Sequence, residues 1–393
     1  MPPMQFQTTK ENLLRLVTPA AAAVQATGPN KLATVLMEVH SSMVRVTGTD
    51  LITDITTEQA LTSVEAVTGG AVAVEAKRLA QLAASMPAGG IIVKRLDGDW
   101  MEFKSTNPKA KATMKLRGYH ASTYPTPDHK SLAGDEADRV DVNINALRKL
   151  IRSTLYAVSR DEARANLCQL HFERNGKAMI AVSTDGHRMA TAMTLCTFPA
   201  IPSQPGINLT RRSAALLLGL LDNIPSVGDA GVVRVSYAPG MLSVANADNG
   251  YSWTLTAKLA DQVFPPWQQV VPNTHTRVCA IGRTALEAMI GRALAMAPDQ
   301  THATLFGFDE VNGGEVSVRV DNPDQGVLHD VSGDVKLTGA GVSATYNVQY
   351  LSEALAHMAG DTITFKLNGH MDSVLLHGDS ETEACAVVMP MRM

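Results

Sequence analysis

The residues most suggestive of chemistry are Asp185 and His187, within Thr184-Asp185-Gly186-His187-Arg188. A carboxylate two residues from an imidazole can belong to a metal site or to a catalytic dyad. The sequence contains no Gly-x-Ser-x-Gly elbow, His-Glu-x-x-His motif or phosphate-binding loop to complete an active site. We therefore favour a turn that lines a binding pocket, and a hydrolase using Asp185 and His187 is kept as a distant alternative.

The four cysteines, Cys168, Cys196, Cys279 and Cys385, are far apart in the chain. Because no Cys-x-x-Cys pair occurs, neither a zinc site nor a redox motif is predicted. We expect free thiols in a reducing compartment, no metal and no cofactor. No secretory pattern opens the sequence, and no apolar run approaches the roughly 20 residues of a spanning helix. A cytoplasmic protein is therefore expected.

Composition narrows the function classes further. The 393 residues include 34 Lys and Arg against 38 Asp and Glu, a formal net charge of −4, and aromatic residues make up 5%. An acidic balance argues against a uniformly basic nucleic-acid-binding domain. The low aromatic content argues against a protein that stacks many bases of a single strand. The length predicts two to three domains of roughly 150 residues.

An internal repeat supplies the elements that position these residues. Three strand-like runs end at Asp50, Asp185 and Asp321, so that successive aspartates are 135 and 136 residues apart. Each repeat also predicts a first amphipathic helix, with apolar residues recurring on one face. Those residues are Leu13, Leu14 and Val17 in the first repeat, Leu147, Leu150, Ile151 and Leu155 in the second, and Leu286, Met289, Ile290 and Leu294 in the third.

A strand and a second helix follow in each repeat, at 72–86, 207–221 and 344–358. Hairpins come next at 91–116, 232–259 and 363–388, with turns predicted at Gly98, Gly240 and Gly369. The pattern predicts an α+β fold of three repeated domains, each an antiparallel sheet with two helices. Pro-rich linkers at 124–128 and 264–267 suggest domains at 1–128, 139–264 and 276–393.

Several motifs in this order resemble the bacterial DNA sliding clamp family, the beta subunits of DNA polymerase III, over essentially the whole chain. They are Gly48-Thr49-Asp50-Leu51, Thr184-Asp185-Gly186-His187-Arg188, Phe264-Pro265, Asp321-Asn322-Pro323-Asp324-Gln325 and Val387-Val388-Met389-Pro390-Met391-Arg392-Met393. The resemblance implies the DNA clamp fold, with two chains joined head to tail into a ring around duplex DNA. It also implies a non-enzymatic processivity factor in DNA replication, with no membrane association.

The resemblance further implies a pocket between the second and third domains that docks peptides of the replicative polymerase, the clamp loader and other clamp-binding proteins. Methionines suit such a pocket, because they adapt to different anchors. Gln269 stands where the family often has arginine, and Met189 where it has leucine. The matching residues are Leu167, Thr184, Gly186, His187, Arg188, Met189, Pro265, Gln269, Val270, Ser373, Val387, Val388, Met389, Pro390, Met391 and Arg392.

A sliding ring needs a modest basic lining that contacts phosphates without reading sequence. Arg78 and Arg212 lie about one repeat apart, which supports a shared DNA-facing role. Ala165 and Asn166 replace residues that are often aromatic in the family, and only Lys31 lies near Ala26, where relatives carry an arginine. The candidates are Lys10, Arg15, Lys77, Arg78, Arg148, Lys149, Arg152, Arg160, Arg164, Arg211, Arg212, Arg283 and Arg292.

The ring interface is expected to be heterologous, joining the first domain of one chain to the third domain of the other. By resemblance it includes Lys109, Lys111, Ala112 and Met114 on one side and Ala295, Met296, Asp324 and Asp330 on the other. Ala112 is smaller than is usual, and residues 326–329 interrupt an acidic run. We therefore expect closure to be less electrostatic than in relatives, and a specialised second clamp copy with an altered pocket remains an alternative.

Overall fold

The computed structural model describes residues 4–24, 33–40, 42–61, 68–134, 137–202, 205–224, 231–310, 314–333, 335–379 and 384–392. The expectations on Ala26 and Lys31 therefore lie outside the described residues. The chain divides into two compact units. Unit 1 comprises Met1–Ile144, Phe198–Ala200 and Ala215–Leu259, and unit 2 comprises Asn145–Thr197, Ile201–Ala214 and Ala260–Met393.

Strands make up most of the regular secondary structure. In chain order they are β1 Gln5–Thr9, β2 Thr34–His40, β3 Met43–Thr49, β4 Thr53–Ala60, β5 Gly70–Glu75, β6 Gly90–Arg95, β7 Trp100–Ser105, β8 Thr113–His120, β9 Asp138–Asn143, β10 Gln169–Asn175, β11 Ala178–Thr184, β12 Arg188–Leu195, β13 Ile207–Thr210, β14 Val232–Ala238, β15 Met241–Asp248, β16 Tyr251–Lys258, β17 Arg277–Gly282, β18 Ala303–Asp309, β19 Glu315–Asn322, β20 Gly326–Ser332, β21 Val335–Thr338, β22 Val342–Asn347, β23 Thr362–Leu367, β24 Val374–Gly378 and β25 Ala384–Val388.

The helices are fewer than the strands. They are α1 Lys10–Ala23, α2 Ala76–Ser85, α3 Lys130–Ala133, α4 Ile144–Thr154, α5 Arg211–Asp222, α6 Arg283–Met296 and α7 Val348–Ala356.

Unit 1 contains a 12-stranded sheet in the order β1-β6-β7-β8-β5-β2-β3-β4-β16-β15-β14-β9. Its pairings among the described residues are antiparallel, including β4 with β16, which joins segments nearly two hundred residues apart in sequence. Alternating side chains bury one face, because neighbouring residues of a strand point to opposite sides. In the first repeat, that buried face packs against α1 and α2 in a core that includes Phe6, Leu13, Leu79 and Phe103.

Unit 2 contains a nine-stranded sheet in the order β13-β10-β11-β12-β25-β24-β23-β17-β21, and a four-stranded sheet in the order β20-β19-β18-β22. The pairing of β12 with β25 makes one continuous sheet from two repeats. A core of Leu286, Phe306, Tyr346 and Phe365 lies between α6, α7 and the strands of the third repeat. These antiparallel sheets with few helices confirm the α+β class, while the three predicted domain boundaries stay a prediction.

The first helix of each repeat confirms the amphipathic pattern with small corrections. Thr9 caps α1, since its Oγ1 accepts a hydrogen bond from the Asn12 N–H at 3.2 Å. Its core positions are Leu13, Leu16, Val17 and Ala20, one helical face, and the predicted Leu14 is only partly buried. Leu294 of α6 is likewise partly buried, and the predicted Leu155 lies beyond the end of α4, in a short 3₁₀ turn, where it is also partly buried.

Two predicted features of the third repeat, the strand end at Asp321 and the turn at Gly369, differ in the structure. β3 and β11 end just before Asp50 and Asp185, as predicted, but β19 continues through Asp321 to Asn322. Asn322 makes the turn instead, since its Oδ1 accepts the Asp324 N–H at 3.1 Å. The predicted hairpins are three-stranded meanders, and the connection expected at Gly369 is the longer loop 368–373.

Candidate functional site

The turn between β11 and β12 is fixed by its own side chains. Asp185 Oδ1 accepts the backbone N–H groups of His187 at 2.9 Å and Arg188 at 3.0 Å. Thr184 Oγ1 accepts the Gly186 N–H at 3.0 Å, and Gly186 adopts a φ of +89°. The carboxylate is therefore committed to the turn, and the His187 side chain is exposed. This geometry gives no support to the catalytic dyad.

Arg188 ties this turn to the third repeat within unit 2. Its guanidinium contacts Asp185 Oδ2 at 3.0 Å and Glu353 Oε2 at 2.7 Å, and it donates to the Tyr156 carbonyl at 3.1 Å. The same group lies 4.4 Å from the centre of the Tyr350 ring. The Arg188 side chain is only 10% exposed. It therefore holds the turn in place through these contacts and is not an exposed cation of the site.

An apolar cluster covers the sheet beside the turn. Met189 pairs with Val387 across β12 and β25, and Val387 pairs with Leu375 on β24. Ile180, Val182 and Phe264 join these three residues, and Trp267 and Val271 of the following segment pack against them. Val388 points to the opposite face of β25 and is fully buried in the other core, so its side chain is not part of this surface.

Exposed apolar side chains occur in the chain segments next to this buried cluster. Met389 is 41% exposed, Val270 is 47% exposed, and Met371 is 42% exposed. The Met389 N–H donates to the His187 carbonyl at 2.9 Å, which holds the segment after β25 beside the turn. A second such bond runs from the Met391 N–H to the Thr345 carbonyl at 2.7 Å. We call Met189, Val387, Val270, Met389 and the turn 184–188 the docking surface.

The other predicted pocket residues fall into three groups by exposure. Leu167 is buried, Gln269 and Arg392 are exposed, and Pro265, Ser373, Pro390 and Met391 are partly buried. Sequence reasoning missed Tyr350, Glu353 and His357, which hold Arg188 or the Tyr156 ring; the Tyr156 and His357 ring centres are 4.5 Å apart. Their spacing of three and four residues was the available signal, since it places Tyr350 and Glu353 of α7 and His357, directly after the end of α7, on one side of the helix.

Several predicted DNA-facing arginines are engaged within the chain. Arg283 donates to the carbonyls of Leu355, Met358 and Gly360, so it satisfies the end of α7. Arg292 contacts Asp330 at 2.6 Å, which pairs a predicted DNA contact with a predicted interface residue.

Two more of these arginines are tied to local acids or turns. Arg78 contacts Glu75 at 2.8 Å. Arg164 contacts Asp161 at 3.1 Å, and its guanidinium lies so close to Gly186 that a Cβ there would be 2.8 Å from Nη1. Arg164 therefore belongs beside the docking surface.

The other predicted cations differ in their exposure and in their surroundings. Burial lowers the pKa of Arg211, and the positive charge of Arg160 lowers it further. Arg15 lies 4.1 Å above the Tyr251 ring, and the Tyr251 hydroxyl donates to the Arg15 carbonyl at 2.9 Å. The remaining candidates are the exposed Lys77 and Arg152 and the partly buried Lys10, Arg148, Lys149 and Arg212.

The predicted interface residues lie on or near two strands, β8 in unit 1 and β20 in unit 2, and include the end of α6. Lys109 and Lys111 are exposed, and Met114 is partly buried near Ser85 at the start of β8. Among the described residues of unit 1, β5 pairs with residues 118–120 of β8, and no strand pairs with the same edge of β8 before them. In unit 2, Ala295 and Asp324 are exposed and Met296 is partly buried, near the edge strand β20. Ala112 accepts the Ser105 N–H through its carbonyl at 2.9 Å.

Two general features bear on the alternatives left by the sequence. No helix in the described ranges is long and apolar enough to cross a membrane. Within the same ranges, no group of three or more His, Cys, Asp or Glu side chains is arranged to hold a metal ion.

Comparison with known proteins identifies the family. Residues 268–392 match the family model for the C-terminal domain of the DNA polymerase III beta subunit, and residues 141–208 match the model for its central domain. The beta sliding clamps of Escherichia coli K12 and Pseudomonas aeruginosa are 24% and 26% identical to this chain, covering 99% of it and 100% of each relative.

Solved structures show the same fold. The beta subunit of P. aeruginosa has a TM-score of 0.85 at 24% identity, and that of Thermotoga maritima has 0.86 at 18% identity. Each comparison covers 99% of this chain and 100% of the other. These matches extend over all three repeats, and the chain belongs to the DNA polymerase III beta subunit family of sliding clamps.

Proposed function

We propose that this protein is the processivity factor of a DNA polymerase: a ring that encircles duplex DNA and docks its partners on the docking surface. The observation that carries the proposal is the buried apolar cluster of Met189 and Val387 bordered by exposed Val270 and Met389. An exposed apolar patch beside polar groups is typical of a protein-binding site. The protein would act by binding alone, without an enzymatic step, in the bacterial cytoplasm.

The docking surface suits an extended peptide with leucine or aromatic anchors. Anchors of this kind supply most of the binding energy when they fill a desolvated apolar pocket. Met389 and Met189 can adapt to anchors of different shape, which fits a surface shared by a polymerase, a clamp loader and other partners. Arg188 would contribute indirectly, because its contacts with Asp185 and Glu353 hold the turn in place.

The DNA contacts of the proposed ring would be few and independent of sequence. Phosphate contacts position a protein on DNA without specifying bases, and each one strengthens binding in a salt-dependent way. Arg160, Arg211 and Lys77 are the best candidates. Arg283 and Arg292 would contribute less, since their guanidinium groups already contact carbonyls or Asp330. The net charge of −4 would limit side-on binding of DNA elsewhere.

The ring would close through two strand edges, β8 of one protomer and β20 of its partner. Uncovered edges offer backbone N–H and carbonyl groups for pairing with another chain. Such a contact joins different surfaces of two identical chains and closes as a two-membered ring. Since Asp330 already pairs with Arg292, this interface would depend on electrostatics less than the resemblance alone implies.

Retention on circular DNA tests the ring. The protein is loaded by its cognate clamp loader onto nicked circular duplex, and bound protein is measured by gel filtration before and after linearisation. A topological ring stays on the circle at moderate salt and is lost after a single cut. Equal loss from both DNA forms would contradict encirclement, and binding that depended only on salt would indicate an ordinary phosphate-binding protein.

A matched pair of substitutions tests the docking surface. A P. aeruginosa sliding clamp has been solved bound to griselimycin, so this compound serves as the probe. Met389→Lys should weaken griselimycin binding at least tenfold by calorimetry, because it places a charge on the exposed apolar rim. Lys258→Met is the control. The Lys258 N–H donates to the Ile52 carbonyl in unit 1 as the Met389 N–H donates to the His187 carbonyl, and this substitution should leave binding unchanged. Unchanged affinity in Met389→Lys would remove the assignment of this surface.

A further inference from the structure

The outer face of the β6–β7–β8 meander in unit 1 combines exposed aromatic and basic side chains. Trp100 is 41% exposed and Tyr119 is 51% exposed. The chain has 8 Phe, 7 Tyr and 3 Trp, all within the described ranges, and these two are the only aromatic side chains there that are classed as exposed. Their position on one sheet face is therefore a local feature and not a property of the general surface.

The strand register places these side chains side by side. Trp100 on β7 lies opposite Arg117 on β8, and Tyr119 is two residues further along β8 on the same face. Diagonal neighbours of this kind have Cβ atoms roughly 7 Å apart, within reach of aromatic side chains. Arg117 is exposed next to both rings, so the face presents two rings with a guanidinium at their side.

The same face is positively charged. Its charged side chains on β6, β7 and β8 are Lys94, Lys104, Lys115 and Arg117 against a single carboxylate, Glu102, which lies 3.7 Å from the Lys115 amine. In the turn before β7, Asp99 is in contact with Arg95, while Asp97 is exposed. A net excess of three cations on these strands contrasts with the chain's overall charge of −4.

We infer that this face binds single-stranded DNA through two stacked bases and the flanking phosphates. A flat sheet with exposed aromatic rings and surrounding cations is the arrangement with which proteins hold unpaired bases, since every base has a face that can stack. Charge complementarity favours a polyanion, and the two rings favour unpaired bases over an acidic peptide. Duplex DNA offers no free base faces to them.

The inference goes beyond the proposed ring and its docking surface. It assigns the unpaired strand next to a replication site to the outside of unit 1, whereas the duplex would be encircled. With only two rings, the face serves short contacts along a strand. It therefore agrees with the low aromatic content, which excludes a protein that stacks many bases.

Binding of a dye-labelled ten-residue oligothymidylate tests the inference by fluorescence anisotropy at low salt with the full chain. Trp100→Ala should weaken binding about tenfold, because stacking on one ring is lost. Trp100→Phe keeps a ring and should restore most of the affinity. Since Trp253 is buried and Trp267 is partly buried, the wild-type protein should also show tryptophan quenching that Trp100→Phe removes.

Further measurements test the role of the basic side chains and distinguish single-stranded DNA from an acidic peptide. Arg117→Gln should weaken binding and reduce the salt slope by about 0.7, whereas Arg174→Gln, an exposed arginine of unit 2, is the control without effect. Unchanged affinity in both Trp100→Ala and Arg117→Gln would overturn the inference. Equal binding of polyglutamate with the same Trp100 dependence would also overturn it, in favour of an acidic peptide.

Discussion

Two turns, one in each unit, have the same pattern of hydrogen bonds to the backbone but are bordered by different side chains. In unit 1, Asp50 Oδ1 accepts the N–H groups of Ile52 at 3.0 Å and Thr53 at 2.7 Å, as Asp185 does for its own turn. Each turn also accepts a hydrogen bond from a distant strand: the Lys258 N–H reaches the Ile52 carbonyl at 2.8 Å, and the Met389 N–H reaches that of His187 at 2.9 Å.

The side chains around the two turns differ in kind. Met189 and Val387 meet on the docking surface, and the register places Asp54 and Thr256 at the matching positions of unit 1. Burial raises the pKa of Asp54, although Thr49 and His129 oppose this, and the His129 ring lies 3.4 Å from its carboxylate. The same turn is therefore bordered by a polar pair, Asp54 and Thr256, in unit 1 and by an apolar pair, Met189 and Val387, in unit 2. The chemistry available for docking thus depends on a few side chains beside the turn and not on its backbone.

The largest effect on stability is expected when the apolar residue beside the unit 2 turn is replaced by the acidic residue found at the matching position of unit 1. Met189→Asp places a carboxylate at a site that is only 2% exposed and has no cation in its apolar cluster. We expect the free energy of unfolding to fall by more than about 3 kcal/mol, measured by urea denaturation. Met189→Leu is the control and should cost less than about 1.5 kcal/mol. A tolerated aspartate would show that the two faces are interchangeable.

The second prediction concerns the glycine of the unit 2 turn. Gly186→Ala should lower the free energy of unfolding by about 1–2 kcal/mol, because φ is +89° and the new Cβ would lie 2.8 Å from Arg164 Nη1. Gly176→Ala is matched, since Gly176 has a φ of +62° and nothing within 4 Å of the Cβ position. If thermal denaturation showed equal losses, the contact with Arg164 would carry no cost.

The smallest effect is expected at the matching residue of unit 1. Leu51 adopts a φ of +73° where unit 2 has glycine. Leu51→Gly should raise stability by about 0.5 kcal/mol, since relief of left-handed strain exceeds the extra entropy of an unfolded glycine. Ile52→Gly, one residue on and without a positive φ, should instead lower the melting temperature. A loss of stability in Leu51→Gly would show that the Leu51 side chain makes contacts worth more than the strain.

The repeat made much of the fold predictable, and the departures have local causes. Periodic apolar residues predicted the first helices, and aspartates at constant spacing predicted the turns after β3 and β11. The third copy shifted because Asn322 forms an equivalent turn with its side-chain oxygen, so the motif moves by one residue. The spacing of Asp321 alone could not reveal this, since Asp and Asn act alike at such positions.

The candidate site was harder to predict, because its details depend on contacts between distant segments. Arg283 has the same charge as Arg160, and only the fold shows that Arg283 contacts three carbonyls at the end of α7. Val387 and Val388 are neighbours in the sequence, yet they belong to different apolar clusters. Strand alternation predicts that two such residues diverge, but which one faces outward is set by the pairing of β25 with β12.

The pairing of β12 with β25 also bears on how the protein is made. Because synthesis runs from the amino end, β12 leaves the ribosome long before its partner Ala384–Val388 exists. Until then, the apolar side of β12 has no neighbour, and such non-local pairing is slow and exposed to aggregation. A nascent or prematurely terminated chain therefore cannot present the finished docking surface, so incomplete chains would not compete for the partners of the finished protein.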